Sequence, residues 1–174
     1  EQYHLLGHSM GGMIAQEIAV RDAGRVEQLV LYATGAIGVL PGRFETIAQS
    51  KARAISDGAN TTARRIAGTW FLQGEAAPGY EACANIAEQA GVDAMLAGLD
   101  AMEAWNGTAA LKNLTAETLV LWGDRDRTYA WEQPQLLWTE IEQASLGVVP
   151  GCAHAVHLER ALIFNAILRD FLTA

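Results

Sequence analysis

The hexapeptide Gly7-His8-Ser9-Met10-Gly11-Gly12 constrains this chain more than any other stretch. The apolar run Tyr3-His4-Leu5-Leu6 leads into it, and Met13, Ile14, Ile18 and Ala19 recur behind it at helical spacing. Strand, G-x-S-x-G turn and helix form the context of a nucleophile elbow, where a serine on a strained strand-to-helix turn projects its hydroxyl above a sheet. Gly7 and Gly11 are expected to leave room where the neighbouring strand and helix approach. The helix N-terminus behind Ser9 favours developing negative charge, and the Met10 N–H is expected to donate to an oxyanion.

A parallel sheet is the surrounding that such a turn requires, and the chain supplies its strands in order. The first helix runs to about Arg21 and ends at Asp22-Ala23-Gly24, with Gly24 suited to a left-handed C-terminal position. Val26-Glu27-Gln28-Leu29-Val30-Leu31-Tyr32 reads as a strand buried on both faces. Residues 118–122, Thr-Leu-Val-Leu-Trp, form a third strand ending at Gly123-Asp124-Arg125-Asp126. A helix follows over about 130–142, then a strand from Ala144 to Val149, the loop Pro150-Gly151-Cys152-Ala153-His154, and a last helix over about 158–172.

Between the second and third strands the pattern changes. Residues 35–115 are rich in Ala and Gly and read as helices near 43–57, 61–71, 81–90 and 92–105, with breaks at Asp57-Gly58, Gly74–Gly79 and Gly91. A simple crossover is much shorter, so this stretch reads as an all-helical insertion. The sequence therefore divides into a sheet core over 1–34 and 116–174 and a helical cap over 35–115.

Composition narrows the function classes. Of 174 residues 51% are hydrophobic and 18% charged, with a formal net charge of −8, which marks a globular chain. No Lys/Arg cluster points to nucleic acid or an anionic membrane. No run of about 18 apolar residues is present to span a membrane, and no signal peptide is recognised. Cys83 and Cys152 lie far apart without metal-ligand spacing and read as two free thiols in a reducing compartment, so a cytoplasmic location is expected. No metal, nucleotide or flavin motif is present, and no cofactor is expected.

The carboxyl ends of parallel strands bring together residues far apart in sequence. Ser9, an aspartate after the third strand and a histidine after the fourth fall in that order. His154 would act as base toward Ser9 and then as acid toward the leaving group. A buried carboxylate would fix the imidazole tautomer.

These segments, GHSMGG at 7–12, TLVLWGDRD at 118–126 and PGCAHAVHLERALIFNAILRDFL at 150–172, resemble the second part of an α/β-hydrolase fold enzyme. The helical stretch resembles the family's cap in position and character. The resemblance implies Asp126 as the acid, three residues after the glycine that ends the strand, with Asp124 as the alternative. It implies His154 as the base, with His157 as the alternative, and Ser9 with an oxyanion donor at Met10. Many relatives carry proline at the position of Tyr129. His4 and His8 read as structural. Glu159, in a first helical turn, reads as favourable to the helix dipole. Trp70, Phe71, Met95, Met102 and Trp105 either line a pocket roof or pack the cap's own core. Arg64 and Arg65 either meet a substrate carboxylate or lie on a solvated helix face.

What the resemblance implies for function is a serine hydrolase cleaving a small-molecule ester or lactone through an acyl-enzyme. The alternatives are carbon–carbon bond hydrolysis of a diketone-type ring-fission product, cofactor-free perhydrolysis, and a ligand-binding receptor that retains the triad. A serine rather than an aspartate on the elbow sets the chain apart from relatives that form an alkyl-enzyme ester. The family sheet has eight strands and the nucleophile follows the fifth. An N-terminal companion segment or chain is therefore expected to complete the sheet and the oxyanion hole, and the chain alone is expected not to be a self-sufficient enzyme.

Overall fold

The computed structural model describes every residue except Phe44 and Ala174. The described chain forms two compact units, one made of Glu1–Ile37 with Asn106–Ala174 and the other of Gly38–Trp105.

The first unit is built on four parallel strands, β1 (Tyr3–His8), β2 (Val26–Tyr32), β3 (Glu117–Gly123) and β4 (Ala144–Val149), which lie side by side in chain order. Parallel neighbours need a crossover. Helix α1 (Met10–Arg21) joins β1 to β2, and α6 (Glu132–Glu140) joins β3 to β4. Alternation along β2 sends Leu29 and Leu31 to one face, where they pack with Ala15, Ala19, Leu137 and Ile141. Val30 and Tyr32 go to the other face, with Leu121, Val149 and Phe164. Burial on both faces explains why β2 is a nearly continuous apolar run.

Two local expectations are corrected. Gly24 is not left-handed. Helix α1 closes through the Asp22 carbonyl, which accepts the Arg25 and Val26 N–H groups at 2.9 and 3.3 Å, so the exit needs no positive φ. The last helix is two helices, α7 (Val156–Glu159) and α8 (Ala161–Thr173), broken at Arg160 with φ −137°.

The second unit contains α2 (Ile47–Asp57), α3 (Ala59–Thr69), α4 (Tyr80–Ala87) and α5 (Val92–Ala104). The helix expected over 43–57 starts at Ile47, where Thr46 and Gln49 form a capping box; its residue Phe44 lies outside the described residues. Ala54, Ala67 and Ala84 are fully buried, so small side chains let these helices approach. Phe71 is buried edge-on to Tyr80, 6.5 Å between ring centres, within this unit's own core. Arg64 pairs with Glu81 and Glu88, and Arg65 with Glu45. Glu45 is buried and also holds Arg53 at 2.9 Å and the Ser50 hydroxyl at 3.0 Å.

The chain leaves the first unit and returns to it at one place. Ile37 and Asn106 form an antiparallel bridge, and the Gly107 N–H donates to the Ala36 carbonyl at 2.8 Å.

Candidate active site

Ser9 is the single residue between β1 and α1 and adopts φ 54°, ψ −124°. A non-glycine residue held in so sparsely populated a region costs roughly 1–3 kcal/mol, so its surroundings must over-determine it. They do. The Ser9 N–H donates to the Tyr32 carbonyl at 3.0 Å, and its own carbonyl accepts the Gly12 N–H at 2.9 Å and the Thr34 hydroxyl at 2.7 Å. A Cβ on Gly7 would run into the Gly11 carbonyl and the Gly12 Cα, so Gly7 supplies the expected room. Gly11 does not: a Cβ there meets nothing within 4 Å. Gly12 takes that role, since its Cβ would stand 2.5 Å from the Thr34 side chain. Met10 opens α1, where a backbone N–H has no carbonyl of its own helix to meet.

The acid and base positions lie on the loops after β3 and β4. Gly123 allows these loops to touch, because a Cβ there would strike the Ala153 carbonyl. The Asp124 N–H donates to Val149 and the Arg125 N–H to Cys152, at 3.1 and 3.0 Å. Asp126 and His154 then meet in a fully buried contact, Nδ1 to Oδ2 at 2.9 Å. The other Asp126 oxygen accepts the Thr128 and Tyr129 N–H groups at 2.7 and 3.2 Å. Such donors hold the carboxylate in place beside the imidazole.

The alternatives have other partners. Asp124 accepts the Gly151 N–H at 2.7 Å and lies 3.6 Å from Arg125. His157 presents Nδ1 to the Tyr32 hydroxyl at 2.9 Å. Glu159, expected to act on a helix dipole, accepts the Ala153 N–H at 2.6 Å and fastens the histidine loop. Cys152 is buried and its thiol is pushed up to about 12 by burial and the nearby Glu159 and Asp124 charges, which keeps it protonated and unreactive.

Sequence reasoning left three contributors unassigned. The Tyr129 ring lies nearly parallel to that of His154, 5.6 Å away. Thr34 holds the Ser9 carbonyl. The Tyr32 ring stacks on His8 at 4.4 Å, and His8 in turn lies 4.5 Å from the His154 ring. Burial, together with His154 and His157, lowers His8 to about 3, so it is neutral at pH 7. A strand-terminal aromatic residue is the only signal that the sequence offered for Tyr32.

An imidazole whose Nδ1–H faces a carboxylate carries its lone pair on Nε2, as a general base must. The serine preceding it in the chain follows His8 directly, on a turn that exposes a side chain at the sheet's carboxyl edge.

A sequence model of the alpha/beta hydrolase family matches residues 1–167. The chain is similar to a 2-hydroxy-6-oxo-6-phenylhexa-2,4-dienoate hydrolase of Comamonas testosteroni, 27% identical over 99% of this chain and 63% of the relative. It is also similar to a putative carbamate hydrolase of Variovorax paradoxus strain S110, 28% identical over 97% of this chain and 65% of the relative. The chain thus spans less than two thirds of the length of these curated relatives. Among solved structures, the enol-lactonase from Burkholderia xenovorans LB400 shares the fold with a TM-score of 0.88 at 22% identity, over 99% of this chain and 66% of that one.

Proposed function

The chain belongs to the alpha/beta hydrolase family, and on that premise we propose that it carries the Ser9–His154–Asp126 triad of a hydrolase acting on a small-molecule ester or lactone. The buried 2.9 Å contact between Asp126 and His154 is the observation that carries this reading. His154 takes the Ser9 proton as the hydroxyl oxygen attacks the substrate carbonyl. The imidazolium, stabilised by Asp126, then protonates the leaving alkoxide, and water repeats the sequence to release the acid. The Met10 N–H stabilises the tetrahedral oxyanion; one such donor is worth about 2.7–4 kcal/mol.

A second reading is hydrolysis of a 2-hydroxy-6-oxo-dienoate by carbon–carbon cleavage. The names of several relatives at 27–29% identity favour it. The same serine and histidine would serve. Turnover of aryl esters and lactones against turnover of a ring-fission dienoate separates the two.

A companion segment or chain is part of the proposal. Strand β1 pairs only with β2 among the described residues, and Leu6, Ile14 and Ile18 near it are 44%, 52% and 36% exposed. No helix among the described residues is long and apolar enough to cross a membrane, and the free thiols of Cys83 and Cys152 suit a reducing cytoplasm.

Fluorophosphonate labelling of the purified protein, read by peptide mass spectrometry, tests the assignment. An adduct on Ser9 that disappears in His154→Ala supports it. An accessible but unlabelled Ser9, in the presence of the companion segment, refutes it.

A further inference from the structure

Tyr32 holds the backbone of both proposed reacting residues, by different atoms. Its backbone carbonyl accepts the Ser9 N–H at 3.0 Å. Its hydroxyl meets the His154 carbonyl at 3.0 Å, His157 Nδ1 at 2.9 Å and the His157 backbone N–H at 3.2 Å, and the Val156 backbone N–H is also directed at it.

A hydroxyl has one proton and two lone pairs. The His157 backbone N–H can only donate, so it occupies one lone pair. The His154 carbonyl can only accept, so it takes the hydroxyl proton. With that proton spent, His157 Nδ1 at 2.9 Å would set one lone pair against another unless it carries hydrogen itself, so it must be the donor of that contact. The His154 carbonyl has a second lone pair, and His8 Nε2 stands 3.3 Å from it. With its proton on Nε2, His8 completes that carbonyl from β1.

We propose that Tyr32 is a positioning residue that sets the separation of Ser9 and His154, holding one by its carbonyl and the other by its hydroxyl, with the Nδ1–H tautomer of His157 fixing the direction of that hydroxyl. Without a donor at His157, the hydroxyl can turn its proton away from the His154 carbonyl and release the base's backbone. Two side effects of burial keep the arrangement intact at neutral pH. His8 and His157 are both lowered from the ordinary imidazole value and stay neutral, and the Tyr32 phenol is raised and stays a donor. The consequence for rate rests on the reading of Ser9 and His154 as nucleophile and base; the hydrogen-bond pattern does not.

Misplacing reacting groups by about 1 Å can cost on the order of a hundredfold in rate. Tyr32→Phe retains the carbonyl that holds Ser9 and the ring that packs on His8 and Phe164, and removes only the hydroxyl. Two measurements on the full chain with its companion segment test the proposal. The first is 15N NMR of histidine-labelled protein, which reads the bonded ring nitrogen. His157 is expected to carry its proton on Nδ1 in the parent and on Nε2 in Tyr32→Phe. A parent with the proton on Nε2 overturns the relay. The second is the rate constant of fluorophosphonate labelling at Ser9, separated from reagent affinity. Tyr32→Phe is expected to slow it roughly ten- to hundredfold with affinity unchanged. His157→Leu is expected to slow it similarly, while His157→Asn, which keeps a donor near Nδ1, recovers most of the loss. Labelling of Tyr32→Phe at the parental rate overturns the positioning role alone. A parent with the Nδ1 proton that takes no label refutes the nucleophile reading and the positioning role together.

Discussion

The sheet unit and the helical unit secure their polar groups in opposite ways. Around the strand ends, Asp126, His154 and Thr34 are buried and each meets a defined partner within 3 Å. In the helical unit, Lys51 pairs with Asp100 and Glu103, and Arg64 with Glu81, largely at the surface. Among its described charged residues only Glu45 sinks into the interior, where it meets the buried Ser50 hydroxyl and two guanidinium groups. A buried polar group that loses its partner keeps its whole desolvation cost, whereas an exposed one returns to water. The sheet unit should therefore register changes of single atoms that the helical unit absorbs.

The largest test sets two carboxylates of one loop against each other. Asp126→Asn leaves the shape unchanged but disturbs the His154 tautomer, and kcat should fall about 10⁴-fold. Asp124→Asn keeps an oxygen for the Gly151 N–H and should change kcat by less than about tenfold. On the proposed hydrolase reading, steady-state kinetics with an aryl ester and the companion segment present distinguishes them, and equal losses would break the assignment of Asp126. Two glycines of the elbow give the next contrast. Gly7→Ala drives a methyl into backbone atoms and should cost about 3 kcal/mol or more in urea unfolding. Gly11→Ala enters open space on a helix and should leave the stability of this chain within about 0.5 kcal/mol or raise it.

A smaller effect comes from pH. His8 is held near 3 in the folded chain against about 6.5 when unfolded, so below pH 6.5 the unfolded chain binds more protons. Stability is then unaffected above that pH and is lost as pH falls toward 3. His8 contributes a loss on the order of 1–2 kcal/mol between pH 6.5 and 5, and His157, also lowered, acts in the same direction. His8→Gln, which does not titrate, should flatten this acid limb; an unchanged slope would remove His8 as its source. In the helical unit, Glu45→Ala strands Arg53 and Arg65, both partly solvated, and should cost about 1 kcal/mol. Lys51→Ala should leave the unfolding midpoint almost unmoved. A larger effect at Lys51 than at Glu45 would erase the contrast between surface and interior pairs.

How much of this was legible beforehand followed the length scale of each signal. Strands β2 and β4 are apolar runs bounded by turn residues, and their limits can be read to the residue. The break at Arg160 is one residue wide inside an unbroken apolar periodicity, so no pattern announces it; a hydrogen bond from Ala153 to Glu159 holds the short helix to the loop instead. Gly11 and Gly12 are adjacent and identical, and only the position of Thr34, more than twenty residues on, tells which one needs to be bare. Asp124 and Asp126 differ by two positions on one loop, and spacing alone does not separate them. Tyr32 was visible only as a strand residue, because its hydroxyl's partners come from a loop more than a hundred residues later.

The bridge between Ile37 and Asn106 has a consequence for how such a chain diversifies. Because the insertion departs and rejoins at neighbouring positions, Ile37 and Asn106, it is an excursion from one point of the first unit's chain. The entropy of closing such an excursion grows slowly, by about 0.6 kcal/mol for each doubling of its length. Lengthening, shortening or exchanging the helices between Gly38 and Trp105 should therefore leave the register of β2 against β3 intact. The strands and the loops at their ends become a fixed chassis, and the helical unit a cassette spliced into the chain at one point.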